Sequence, residues 1–203
     1  MKFLLLTLTV IACAAASCTD GVNNVIKLAD INDENVAVHF KDVTMQTYDS
    51  ANNPKCFNSQ AEMFFPGVLK LVSGDIIVRE KSDLVASGRA NLTMSKNSFL
   101  LGTVCKDGVA VNPVVPKNDC SFNFCQYLGS GICTLLTTPG THTLGQLESS
   151  FNFTGVINLP QIPSIINNVL RGQWKAQMKL LTGNTVVAQI KFPSNTEWLN
   201  IDR

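Results

Sequence analysis

The amino-acid sequence predicts an all-β fold, a two-sheet antiparallel β-sandwich. Short runs alternate apolar and polar residues with a period of two. Turn residues separate these runs at the close spacing of a sandwich. An even number of cysteines remains once an N-terminal targeting segment is set aside. At 203 residues the chain suits one domain.

Residues 1–17 read as a signal peptide. Lys2 is its charged end, residues 3–11 its short apolar stretch, and Ala14-Ala15-Ala16-Ser17 its small-residue cleavage site. The apolar stretch is shorter than the roughly 20 residues a spanning helix needs. The competing readings are an N-terminal membrane anchor and, through Val10-Ile11-Ala12-Cys13, a lipoprotein box. Residues 18–34 read as a poorly ordered polar segment and 35–203 as the β-sandwich domain.

Within that domain Val36, Val38 and Phe40 alternate with Ala37, His39 and Lys41. Val68, Leu69 and Leu71 follow Pro66-Gly67, and residues 76–78 lead into the charged Arg79-Glu80-Lys81. Residues 84–94 and 100–104 give two more strand patterns. The clearest hairpin is late. Trp174, Ala176, Met178 and Leu180 share one face, Thr182-Gly183-Asn184 turns the chain, and Val186, Ala188, Ile190 and Phe192 share a face on return. Pro193 ends the ladder because it has no N–H. Only residues 163–170 have a helical period. Two flanking prolines reduce them to a loop or single turn. The last few residues read as poorly ordered.

Seven cysteines occur; without Cys13 they are Cys18, Cys56, Cys105, Cys120, Cys125 and Cys133. An even set on a secretory route reads as three disulfides, with 15 pairings open. Short loops close most readily, which favours Cys105–Cys120 and Cys125–Cys133 and leaves Cys18–Cys56 by elimination. The rival is a zinc site of four thiolates, against which stand the oxidising compartment and the lack of a C-x2-C pair. Sequons at Asn91 and Asn152 also suit secretion, and to be used both asparagines must face solvent.

Composition narrows the function. Net charge is +1 and charged residues make up 15%, against about 25% in ordinary domains. Nothing in this balance suits nucleic acid. His39 and His142 are the only histidines, each read as a surface or satisfied residue. There is no G-x-S-x-G elbow, no H-E-x-x-H and no phosphate-cradling glycine run. The inventory points away from an enzyme and calls for no cofactor or metal.

A longer order of motifs carries a resemblance. Phe40-Lys41-Asp42 is followed by Pro66-Gly67-Val68-Leu69-Lys70-Leu71, Asn91-Leu92-Thr93-Met94 and Ser98-Phe99-Leu100-Leu101-Gly102. Then come Val104-Cys105, Asp119-Cys120-Ser121-Phe122-Asn123-Phe124-Cys125, Cys133 and Pro139-Gly140-Thr141-His142-Thr143-Leu144. Leu159-Pro160-Gln161-Ile162-Pro163 leads to Gly172-Gln173-Trp174 and the final hairpin. Over residues 36–193 this resembles the ganglioside activator branch of the ML lipid-recognition superfamily. The resemblance implies a cup-like, immunoglobulin-like sandwich whose sheets splay around an internal apolar cavity for lipid tails. It implies binding and transfer of glycolipid, phospholipid or fatty acid, peripheral membrane contact, and presentation to a lipid hydrolase in a secreted or endolysosomal setting. It also supports the pairs Cys105–Cys120 and Cys125–Cys133.

Departures from the family are specific. The family's last strand carries a cysteine where this chain has Ala188-Gln189-Ile190, and Cys56 lies past the first strand. The Cys125–Cys133 loop is shorter and lacks further cysteines, and Ile165-Ile166 replace a rim aromatic.

The candidate cavity residues are Val38, Phe40, Val104, Phe122 and Phe151, with Phe153, Trp174, Met178, Val186 and Ile190. The competing reading is that these ten are ordinary core. A ligand pocket of roughly 300–1,000 Å³ would cost on the order of 7–24 kcal/mol if left void, so acyl chains are expected to fill it. Phe99, Leu100 and Leu101 form one candidate membrane-contacting rim loop, and Ile162, Ile165 and Ile166 a second. All are apolar residues in connections, where polar ones are usual.

Overall fold

The computed structural model describes residues 17–31, 36–128, 130–151, 153–161 and 169–203. In chain order the first elements are β1 (Val25–Lys27), β2 (Ala29–Asp30), β3 (Val38–Asp49), β4 (Cys56–Phe57), β5 (Gln60–Phe64) and β6 (Gly67–Val78). The middle of the chain holds α1 (Leu84–Ser87), β7 (Gly88–Lys96), β8 (Thr103–Lys106), β9 (Val109–Ala110), β10 (Ser121–Asn123), α2 (Phe124–Leu128) and α3 (Ser130–Thr137). The rest is β11 (Gly140–Thr143), α4 (Leu144–Phe151), β12 (Val156–Leu159), β13 (Gly172–Thr182), β14 (Thr185–Phe192) and β15 (Leu199–Asp202).

Two sheets pack face to face as an all-β sandwich. The first runs β1-β3-β6-β11, with β12 also on β6, and is antiparallel throughout. The second runs β4-β5-β15-β13-β7-β8-β9, with β10 on β7 and with β14 joining β13 to β2. Its one parallel pair is β5 with β15.

Several boundaries differ from the sequence expectation. The patterns at 68–71 and 76–78 are one continuous strand, β6, whose Gly74 lies opposite a bulge in β3. Gly74 has φ 115°, and a Cβ there would stand 2.5 Å from the Val43 Cα, so only glycine fits. Residues 84–87 form a short helix before β7 rather than a strand.

The segment expected to be poorly ordered is structured from residue 17 to 31. Ile26 is fully buried, β1 pairs with β3, β2 pairs with β14, and Cys18 is bonded to Cys56. Asn24, also fully buried, is held by bonds to the Thr47 carbonyl and Asp20. Its polarity therefore reflects satisfied burial, not solvation. The C-terminus is likewise a strand: Leu199 and Ile201 of β15 point into the core between β5 and β13.

The core has two halves. In one, the buried residues come from strands or carry the bridge: Ile26, Met45 and Leu69 of the first sheet meet Met63, Val104, Trp174, Leu199 and Ile201 of the second, beside Cys105 and Cys120. In the other, helical residues Leu84, Ile132, Leu135, Leu136 and Leu147 pack with strand residues Val38, Ile76, Val78, Ala90, Leu180 and Ala188. The helices bridge the layers. α1 and α2 lie on β7 of the second sheet, α1 also on β13, and α3 and α4 on β6 of the first.

Candidate functional site

Residues from both core halves line a cavity of about 100 Å³ between the sheets. The first sheet contributes Phe40, Val43 and Met45 of β3, Leu71 and Ile76 of β6, and Ile157 of β12. The second contributes Met178 of β13 and Ile190 of β14, which are register partners. Phe124 of α2 and Ile132 and Leu136 of α3 close one side; Leu28 and Phe153 complete the wall. All of these residues are apolar, so a water inside would find no side-chain partner and the space is dry.

The local reasons are legible residue by residue. The bulge between Lys41 and Thr44 resets the alternation of β3, so Val43 within it and Met45 beyond it turn inward. In α3, Ile132 and Leu136 stand four residues apart, the spacing that stacks side chains on one helix face. The Cys125–Cys133 bridge ties α3 to α2.

Four sequence candidates line this cavity: Phe40, Phe153, Met178 and Ile190. Six do not. Val38 is solid core of the helical half, and Val104 and Trp174 of the strand half. Phe122 and Phe151 pack against the helical half from outside the cavity. Val186 is half-buried because a bulge at Leu180/Leu181 slips the hairpin register and puts Val187 into the core instead. The volume is also smaller than the 300–1,000 Å³ expected of a ligand pocket. An empty space of this size costs about 2 kcal/mol, not 7–24.

The first rim loop is placed in full. Phe99 is 103% exposed and Leu100 85%, whereas Leu101 packs against the strand half. Its base is held firmly. The Asn97 side chain donates to Gln173 Oε1 at 2.7 Å, and Trp174 Nε1 donates to the Leu170 carbonyl at 2.6 Å. The Lys96 ammonium stands 5.4 Å from the Trp174 ring and donates to the Val169 carbonyl. Burial there pushes the Lys96 pKa down. Ile162, Ile165 and Ile166, expected as a second rim loop, lie outside the described residues, as do Asn152 and most of the segment expected to be a signal peptide.

The cysteines pair as Cys18–Cys56, Cys105–Cys120 and Cys125–Cys133, each with a Cα separation of 5.6 Å. Those six hold no free thiol for zinc. Three disulfides fit an oxidising compartment. Among the described residues no helix is long and apolar enough to cross a membrane. Asn91 is half-buried; its side-chain oxygen accepts from Ser121 Oγ at 2.7 Å, and its amide lies where a Cβ at residue 108 would stand, so Gly108 leaves room for it.

Both histidines are buried and bonded. His39 Nδ1 meets Asp30 at 3.0 Å and Nε2 meets the Val36 carbonyl at 3.1 Å, so neither nitrogen is open to act as a base. His142 Nε2 meets the Thr138 carbonyl at 2.7 Å, with its ring edge-on to Phe151. No cluster of three or more metal-ligating side chains forms among the described residues.

Sequence reasoning missed Leu28, Val43, Met45 and the helical residues. Leu28 fell in the segment expected to be disordered, and the β3 bulge hid Val43 and Met45. Ile132 and Leu136 carried a visible i, i+4 signal inside a block read for its cysteines. No family model matches the chain, and no curated protein matches it significantly.

Proposed function

We propose that this chain is a secreted lipid-binding and lipid-transfer protein that takes hydrocarbon between its sheets. The observation that carries the reading is the wholly apolar lining of the cavity where the two core halves meet. A space of this size holds the leading methylenes of a chain, and longer stretches require the sheets to part along the same line. Each buried methylene returns about 0.8 kcal/mol, so about three offset the cost of the void. The exposed Phe99-Leu100 tip on a firmly held base supports peripheral membrane contact, since two bare apolar side chains gain by entering the acyl boundary.

The resemblance extends this reading to glycolipid, phospholipid or fatty acid as cargo, a lipid hydrolase as recipient, and a secreted or endolysosomal lumenal site. Cleavage of residues 1–17 and glycosylation at Asn91 and Asn152 belong to the same reading. The engagement of both His39 ring nitrogens supports a binding role over an enzymatic one.

A second reading is favoured by the small cavity volume: a secreted β-sandwich with a closed core that binds another protein. Native mass spectrometry of gently purified protein separates the two. Lipid transfer predicts a lipid mass adduct and uptake from vesicles. Protein without adduct and without uptake contradicts it and leaves the closed-core module.

A further inference from the structure

Beside the apolar cavity lies a larger polar groove of about 760 Å³, and the two share a wall. The groove opens where the chain leaves β1 in one sheet and enters β2 in the other. Its charged lining is Lys27, Lys41 and Arg79 against Asp30 and Asp42. Asp30 is already engaged, accepting from His39 Nδ1 and from the Phe40 N–H, each at 3.0 Å. The ammonium groups of Lys27 and Lys41 are on exposed residues. Three cationic side chains against two carboxylates give the lining a net charge of +1, and the exposed Lys27 and Lys41 ammonium groups offer an anion direct partners.

Leu28, Phe40 and Val43 face both spaces. Two of the three wall residues sit in irregular backbone, while Phe40 is paired with Ile76 in the β3–β6 ladder. Leu28 lies in the crossover between β1 and β2, and Val43 lies in the β3 bulge, where the ladder to β6 is interrupted. The Leu28 N–H donates to the Val43 carbonyl at 3.0 Å, joining crossover to bulge. Segments outside a continuous ladder open at less cost than strand interiors.

We infer that the groove is the headgroup site for an anionic, single-chain amphiphile whose tail reaches the cavity through the Leu28–Phe40–Val43 wall. This rests on the lipid-binding reading and adds the class of cargo. One chain, not two, follows from the small volume behind the wall. The chemistry required is an anionic head on one hydrocarbon chain, met by a fatty carboxylate or an alkyl phosphate monoester.

The test titrates the full secreted chain by calorimetry with hexadecanoate, hexadecyl phosphate and hexadecanol, alongside the double variant Lys27→Glu/Lys41→Glu. Thermal melts confirm that the variant folds. The expected result is that the parent binds the anions about tenfold more tightly than the alcohol, and that the variant loses this margin while hexadecanol binding is unchanged. Whichever anion leads identifies the head. If parent and variant bind the anions alike, or the parent binds all three ligands alike, the headgroup site is overturned while lipid binding stands. If none of the three binds, this inference falls, and the lipid reading is decided separately by the adduct and vesicle-uptake measurements.

Discussion

The two halves of the core solve one packing problem differently. In the strand half the inner faces meet directly, and large side chains such as Trp174, Met45 and Met63 fill the gap. In the helical half the second sheet presents Ala90 and Ala188 beside Leu180 and Val187, and Leu135, Leu136 and Leu147 from the helices join the same cluster. Close packing succeeds inside each half, where several side chains are completely buried. Where a strand-built half adjoins a helix-built half the fit is imperfect, and the cavity lies there. The apolar cavity thus arises from a change of architecture rather than from a loop.

The largest expected effects test whether the halves are separate. Trp174→Ala should cost about 3–5 kcal/mol and Leu135→Ala about 2–5 kcal/mol in denaturant unfolding. Because they belong to different clusters, the double variant should be additive within about 0.5 kcal/mol. A coupling well beyond that would merge the halves and remove the basis for a cavity between them.

A smaller effect belongs to the strand half alone. Glu62 of β5 is buried, and desolvation raises its pKa, partly countered by the Asn200 side chain, which donates to it. The folded state therefore binds its proton more tightly than the unfolded chain. The resulting stability is full below the ordinary glutamate pKa and lost as pH rises through the raised value. Glu62→Gln should raise stability at neutral pH by on the order of 1 kcal/mol and gain less than the parent on acidification. Comparing the two proteins isolates Glu62 from Asp20 and Asp49. Hydrogen bonds from the Tyr48 hydroxyl and the Asn53 backbone N–H, respectively, hold those carboxyls low, and their contributions run the other way. Parallel pH–stability curves for variant and parent would contradict the assignment.

The smallest stability effect is at the rim. Phe99→Asp/Leu100→Asp should change unfolding free energy by no more than about 0.5 kcal/mol, because both side chains are already bare. Flotation with vesicles should nevertheless fall sharply. Binding equal to that of the parent would remove the loop from membrane contact.

The same contrast explains what could be read from sequence. Strand alternation made the β13–β14 hairpin visible, and with it Met178 and Ile190. It failed at Val186, because a bulge inserts a residue that no pattern marks. Leu199 and Ile201 alternated with Asn200 and Asp202 but were too few to stand out at a chain end. The helical half was the harder one. α3 is eight residues long, and its Ile132, Leu135 and Leu136 lie around a cysteine whose bridge drew the reading. Leu28 takes its meaning from a crossover between sheets, a tertiary fact with no local signature.

Isotope-filtered NOEs between bound hexadecanoate and the protein's methyl groups test the central claim most directly. Contacts from the acyl chain to Met178, Ile190 and Leu136, with none to Ile26 or Leu199 deep in the strand half, are the predicted result. Contacts confined to Leu100 at the surface, or none at all, would contradict it.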